Sequence, residues 1–365
     1  MGASFAATKG GYKAFIEHGR RRVAATVAAL FRSFGHDPRI RSTPRGVVVE
    51  ESGMRIALDP RGPVKADYIF ISHAHSDHVP SSISTGRVIA SSETARLVRA
   101  RGLNLREYVE EAPGLQPVDT GHILGAKGLM IEGRTFYTGD LAGRPRGFLP
   151  RGKRISCEKL LIESTYGTPQ YVFPPTAEAL SSANKVIAAA FAQNRPVALM
   201  GYPLGKCQLL SYLFQSWDPL YSYGAVYEYN EIYRELGVDL PESKWLKTPA
   251  DVESLGRRAS LVVSPSTGAK GGLRRALAAI GAVTVGFSGW ALEPGYRFAS
   301  KLTHAVALSD HADFRELTEF VTLARPEKVY TMHGFTEDFA LHLKAAGFDA
   351  APLGRRQLSL TEYME

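Results

Sequence analysis

Three histidines and an aspartate occupy the six consecutive positions His73–His78, within the stretch ISHAHSDHVP that follows the apolar run Tyr68–Ile71. Imidazole nitrogens and carboxylate oxygens are the donors that hold zinc and related divalent cations. Strand side chains alternate in direction, so His73 and His75, at the end of a strand DYIFISH, are expected to aim at one ion. Asp77 and His78 follow as the chain turns and would face a neighbouring position. Such a site needs further ligands from strand ends on the same sheet edge. His122 in DTGHILGA, Asp140 in RTFYTGD and His333 in KVYTMHG meet that need, each beside a glycine that permits a sharp turn or a close approach. His311 follows the strand HAVALSD. The other histidines, His18, His36, His304 and His342, lack such surroundings and are read as structural. Structural zinc prefers closed, cysteine-rich shells. The chain has two cysteines, Cys157 and Cys207, far apart and in no CxxC pattern, so the cluster is read as a catalytic two-metal centre.

The surrounding sequence must position these ligands. From about Arg39 to Asp140 it reads as short β-runs ended by turn residues (GVVVEE, MRIALDP, DYIFISH, RVIAS, LMIEG, RTFYTGD), interrupted by a helical ETARLVRARG. A Gly/Pro/Arg loop, GRPRGFLPRGKR, leads into the buried-strand pattern KLLIEST, and the proline-rich TPQYVFPP marks a crossing between domains. From about Thr176 to Trp290 helices and strands alternate: EALSSANKVIAAAFAQ, PVALMGYPLG, KCQLLSYLFQSW, ASLVVSPSTG, GGLRRALAAIG, AVTVGFSGW. This is the pattern of a small parallel α/β unit. The tail resumes with HAVALSDHAD, a helix FRELTEFVTLA, the strand KVYTMHG and a helix EDFALHLKAAG. Ahead of all this, Phe15, Val23, Val27, Leu30 and Phe31 lie near helical spacing beside Arg20–Arg22, which suggests a basic helix docked on the body.

The chain has 365 residues, 44% of them hydrophobic, with a formal net charge of +8. That length suits two globular domains or one large one, and the charge favours polyanionic partners. The N-terminus lacks an uninterrupted apolar core after a charged start, and no window is long enough to span a bilayer. The expectation is a soluble cytoplasmic protein with reduced thiols and no membrane partner.

The HxHxDH motif at His73, His75, Asp77 and His78 resembles the hallmark of the metallo-β-lactamase superfamily. The resemblance implies an α/β fold: an αββα metallo-β-lactamase sandwich with the metals along one edge of its paired sheets. Carried over by position, His73, His75 and His122 would hold one zinc, Asp77, His78 and His333 the other, and Asp140 would bridge them. Asp59, ending MRIALDP, falls where the family keeps an aspartate that orients a ligand. Between Glu163 in LLIESTYG and His311 in LSDHAD lies the α/β unit, an arrangement similar to the β-CASP branch of nucleases, in which Glu163, His311 and His333 would be the extra motifs. The expected divisions are a basic helical extension at 1–38, the first part of the metallo-β-lactamase domain at 39–170, an inserted parallel α/β β-CASP domain at 171–295, and the last part of the first domain at 296–365. ESTYGTPQY, GYPLGKCQ, FSGWA and LSDHAD are similar to DNA-ligase-associated exonucleases, which are grouped with messenger-RNA 3′-end processing factors.

The implied reaction is hydrolysis of a phosphodiester in single-stranded DNA or RNA. Two Zn2+ ions, with Mn2+ as a substitute, would activate water and neutralise the phosphate. His311, oriented by Glu163, would protonate the leaving group or stabilise the transition state, and Asp77 would serve the reacting centre directly. Lys206 in GYPLGKCQLL, Ser164 and Thr165 are expected to contact phosphate. Ser264, Ser266, Thr267 and Lys270 in SPSTGAKGG lack the full spacing of a P-loop and are read as an ordinary turn. The resemblance leans to DNA end processing, while His333 at the last motif is associated with RNA-cutting members. Other repair or processing proteins are candidate partners. A thioesterase or lactonase is the competing class, disfavoured by the insertion, Glu163 and His311. A metal-poor binding subunit is disfavoured because no ligand is missing.

Overall fold

The computed structural model describes residues 38–83, 85–266 and 271–353. The expected N-terminal helix, save Pro38, and Thr267 and Lys270 lie outside the described residues. The first sheet holds β1 (Arg39–Thr43), β2 (Gly46–Glu51), β3 (Met54–Leu58), β4 (Tyr68–Phe70) and β5 (Arg87–Ile89), in that order. β1–β3 run antiparallel, and β3–β5 are parallel. After α1 (Ser92–Ala100) come β6 (Leu115–Asp119), β7 (Lys127–Ile131), β8 (Thr135–Tyr137) and β9 (Lys159–Ser164).

The inserted unit follows. It comprises α2 (Thr176–Ala192), β10 (Val197–Gly201), α3 (Lys206–Leu213), β11 (Leu220–Tyr223), α4 (Ala225–Glu235), β12 (Lys244–Leu246), α5 (Pro249–Ser254), β13 (Leu261–Pro265), α6 (Gly272–Ala279), β14 (Val283–Phe287), α7 (Tyr296–Ala299) and β15 (His304–Val306). The chain then returns through α8 (Phe314–Ala324), β16 (Lys328–Gly334), α9 (Thr336–Ala345) and β17 (Ala350–Pro352), completing a second sheet in the order β17-β16-β9-β8-β7-β6.

The two sheets face each other. Val47 and Val49 on β2 and Ile56 and Leu58 on β3, each pair two residues apart, pack with Leu129, Ile131, Tyr137, Leu161 and Met332 of the second sheet. The outer face of the first sheet is covered by Leu97 and Val98 of α1. That of the second is covered by Leu317, Phe320 and Val321 of α8 and Phe339 and Leu343 of α9. This is the expected four-layer αββα arrangement. Each of these large side chains contributes about 1.5–3 kcal/mol by leaving water.

The inserted sheet, β12-β11-β13-β10-β14-β15, is parallel throughout. Helices cover both its faces, α2 and α3 on one and α5 and α6 on the other. Its loops after β10, β13, β14 and β15 lie at one edge, the carboxyl ends of the strands, where open α/β sheets bind ligands. The sheet's last strand, β15, lies beyond residue 295. The stretch 218–255 holds two strands and two helices absent from the sequence reading, because strands of four and three residues carry too few alternations to be seen. Among the described residues no helix is long and apolar enough to cross a membrane.

Candidate metal centre

β4 ends at Phe70, so His73 and His75 converge through a loop beyond the strand and not by strand alternation. The loop is held by Asp59, whose backbone sits at φ +41° just after β3. Its buried carboxylate accepts from Ser72 N (2.7 Å), Ser72 Oγ (2.5 Å), Tyr137 OH (2.7 Å) and His78 Nδ1 (2.8 Å). With its proton on Asp59, Ser72 Oγ accepts from His73 Nδ1 at 2.9 Å. Both His73 and His78 therefore present Nε2. His122 donates from Nδ1 to the Asp310 carbonyl (3.0 Å) and also presents Nε2. His75 donates from Nε2 to the Leu204 carbonyl (3.0 Å), across from the inserted unit, and presents Nδ1. A backbone or carboxylate acceptor on the far nitrogen is how metal-binding imidazoles are oriented.

Asp140 lies among these nitrogens. Its Oδ2 is 3.4 Å from both His73 Nε2 and His122 Nε2, and its Oδ1 is 3.4 Å from His78 Nε2. His122 Nε2 and His75 Nδ1 are 3.2 Å apart. Donors about 2.0–2.1 Å from a tetrahedral zinc stand about 3.3 Å from one another, so this spacing fits a cation. His73 Nε2 is buried with no hydrogen-bond partner, which a cation would supply. On the other side of Asp140, Asp77 Oδ2 is 3.6 Å from His78 Nε2, and the His333 ring centre is 5.2 Å from that of His78. His333 reaches this position from a left-handed backbone (φ +54°) at a β16 irregularity.

Electrostatics agree with a cation site. Burial and the neighbouring His73 push His75 down to about 3, and burial and His311 hold His122 well below its usual range, so both rings are neutral and could bind a cation. Burial also opposes charge on His78, but Asp140 and Asp59 outweigh it and lift the ring to about 10 in the metal-free protein; a bound cation would displace that proton. Burial works against the His311 charge as well, yet Glu163 and Asp140 raise it to about 9. His311 Nδ1 is 2.9 Å from Glu163 Oε2, and its Nε2 is 3.9 Å from Asp140. Glu163 is fixed by Leu141 N (2.5 Å) and Thr165 Oγ1 (2.6 Å).

Two residues expected at phosphate are engaged elsewhere. Ser164 Oγ is fully buried and bonds the carbonyls of Met332 (3.0 Å) and His333 (2.6 Å), so it secures the turn that carries His333. Lys206 is buried and donates to the Leu308 carbonyl (2.8 Å) and Asp310 (2.9 Å). A lysine this deep must keep a counter-ion, which is why it faces inward. Thr165, half-buried, gives its proton to Glu163. Asp310 and Arg146 were missed by the sequence reading. Arg146 bonds Asp310 (3.4 Å) and the carbonyls of Ser309 (2.6 Å), Gly121 (2.8 Å) and His122 (3.1 Å). The second arginine of GRPRG and the first aspartate of LSDHAD both carry the signal of a charge inside an otherwise structural loop. The last aspartate of that motif, Asp313, caps α8 with Glu316 in a reciprocal capping box.

Asp77, His78, Asp140, His311 and His333 open onto a cleft of about 1190 Å³ between sandwich and insertion. Its walls include Thr165, Tyr166, Tyr202, Ser288 and Trp290. Comparisons with known proteins bear on what such a cleft belongs to. Residues 296–351 match the family described as RMMBL, the Zn-dependent metallo-hydrolase RNA specificity domain. A "Probable DNA ligase" of Opitutus terrae is 31% identical over 320 residues, covering 83% of this chain and 30% of that protein. The chain thus spans about a third of the length of that curated relative. A crystal structure of a protein of unknown function from Enterococcus faecalis V583 shares the fold at TM-score 0.52 and 14% identity, covering 80% of this chain and 92% of that one. The HxHxDH donors gathered around Asp140 and the RMMBL match over His311 and His333 point to the metallo-β-lactamase/β-CASP family of metallo-hydrolases.

Proposed function

We propose that the protein is a zinc-dependent nuclease, a DNA end-processing exonuclease acting on single strands. The observation that carries the reading is the Glu163–His311 pair beside Asp140, facing the cleft lined in part by the inserted unit, which we read as a β-CASP domain. His73, His75 and His122 would hold one zinc, Asp77, His78 and His333 the second, with Asp140 shared. When bound, two such ions supply an activated water and neutralise the nonbridging phosphate oxygens. The chain's own residues do the rest. Glu163 keeps the His311 ring charged and turned so that Nε2–H meets the leaving oxygen, and Thr165 and Leu141 N keep Glu163 from swinging away. Asp59 holds His78 directly and His73 through Ser72. The Leu204 carbonyl reaches in from the insertion to hold His75.

The name of the ligase relative supports a role in DNA repair, alongside a joining enzyme. The RMMBL description favours a second reading, an RNA 3′-end processing nuclease built on the same site. Digestion of end-labelled single-stranded DNA and RNA side by side, with zinc or manganese and with Asp77→Ala as control, tests both. DNA shortened from its ends by the unaltered protein alone is the expected result; RNA cut in preference selects the second reading. Activity on neither polymer, together with hydrolysis of a small thioester or lactone, overturns both.

A further inference from the structure

His122 is a metal donor carried on irregular backbone. It stands three positions past the end of β6 at Asp119, and the segment 309–310, which leads into His311, begins three positions past the end of β15 at Val306. Neither belongs to a strand, so no sheet ladder fixes them. Yet a zinc donor has to stand within about 0.2 Å of its ideal distance. Something other than the sheets must hold His122 in place.

Arg146 crosses between the two segments. Its backbone is fixed by a reciprocal pair, Arg146 N to the Leu149 carbonyl and Leu149 N to the Arg146 carbonyl, each at 2.8 Å, and its side chain is buried. Nη2 donates to the carbonyls of Gly121 (2.8 Å) and His122 (3.1 Å). Nη1 donates to the Ser309 carbonyl (2.6 Å) and lies 3.4 Å from the Asp310 carboxylate. The imidazole closes the circuit, with His122 Nδ1 donating to the Asp310 carbonyl at 3.0 Å. His122 is therefore tied to the 309–310 segment twice, by its ring directly and by its main chain through one guanidinium.

A guanidinium is planar, with its two Nη atoms at a fixed separation, so carbonyls gripped from both of them are held at a fixed spacing; an ammonium is a point charge on a flexible stem. Charge alone does not call for an arginine here, because Lys206 already stands 2.9 Å from Asp310. The neighbouring Arg144 is spent differently, on Glu316, Asp313 and the Pro174 carbonyl. Resting on the metal-centre reading above, we infer that Arg146 is a positioning residue for His122. Its fork, and not its charge, sets the 121–122 turn against the 309–310 segment and so aims His122 Nε2 at the point it shares with Asp140 Oδ2 (3.4 Å) and His75 Nδ1 (3.2 Å).

The test reads metal binding in the full chain: zinc affinity by chelator competition, and the visible bands of the cobalt(II)-loaded protein, which report ligand geometry. Arg146→Lys keeps the charge and loses the fork; Arg146→Met loses both and leaves no buried cation seeking acceptors, so it is the variant to read if the lysine protein does not fold. Each should hold zinc about 10-fold more weakly, the low end for losing a group behind a metal ligand because the ring keeps its bond to Asp310, and each should shift the cobalt bands. Arg144→Lys should match the unaltered protein in both readings. Placed in a His122→Ala background, Arg146→Lys should cause no further loss, since residues acting through one another do not add. Parent affinity and parent bands in Arg146→Lys overturn the inference. So does an equal loss in Arg144→Lys, or a loss that persists without His122, because either means general loosening. No substrate enters the measurement, so the result stands whether or not any strand is digested; an unaltered protein that binds neither metal overturns the centre and this inference with it.

Discussion

Asp310→Asn tests how far the centre depends on charges buried behind it. Asp310 is the sole carboxylate in ion-pair contact with Lys206 and Arg146 among the described residues, at 2.9 and 3.4 Å. Both cations are buried, and removing one partner of a buried ion pair costs about 3–5 kcal/mol because the other charge is left uncompensated. Lys206 keeps the Leu308 carbonyl and Arg146 keeps three others, so the lower end, about 3 kcal/mol, is expected. Burial opposes ionisation of Asp310, but Lys206 and Arg146 hold its carboxyl below the usual range. A depressed carboxyl stabilises the fold above its unfolded value of about 3.9 and loses that contribution as pH falls through its lower folded value. The difference between variant and parent should therefore be full at neutral pH and shrink below about pH 4. Urea unfolding of the metal-free protein, followed by circular dichroism at pH 7 and again in acid, measures it. Lys206→Met added to Asp310→Asn should recover part of the loss, since one orphaned cation is gone. An Asp310→Asn midpoint equal to the parent at pH 7, or a double variant weaker than the sum of the two single ones, refutes the reasoning.

His311→Ala should keep its full zinc content by elemental analysis while turnover on single strands falls by about 10²–10⁴, the usual worth of a positioned proton donor. Asp140→Asn should instead lower zinc content itself, because one carboxylate faces donors on both sides of the centre. Asp59→Ala removes the acceptor that orients His78 directly and His73 through Ser72, and a chelator competition should show zinc held about 10–100-fold more weakly. Gly334→Ala places a Cβ 2.4 Å from the Ser164 carbonyl oxygen and from Thr165 Cα, both backbone, at φ +76°; it should displace His333 and reduce zinc stoichiometry, read by the same elemental analysis.

Much of this was legible beforehand because its signals are local. HxHxDH needs only spacing to be recognised, and α8 and β16 span the residues read as FRELTEFVTLA and KVYTMHG, since an amphipathic helix with an Asp313 cap and a long apolar strand carry their own periodicity. The short strands β11 and β12 carry none and were invisible. The direction of individual side chains was also beyond reach. Lys206, beside a glycine turn, was expected at phosphate, and only packing against Leu308 and Asp310 turned it inward, where the cost of burying its charge demands a partner. Ser164, adjacent to Glu163, faces the opposite side of β9 and ties down the His333 turn.

By itself, then, the sequence determined which donors exist, which elements end in them, and that a second α/β unit interrupts the first. The tertiary structure decided how they are used. Asp59 reaches His78 across 19 positions of chain, Leu204 reaches His75 across 129, and Asp310 reaches His122 across 188. Those contacts choose which ring nitrogen faces Asp140, and a hydrogen bond between residues so far apart depends on how sheets and loops pack, which no local pattern encodes.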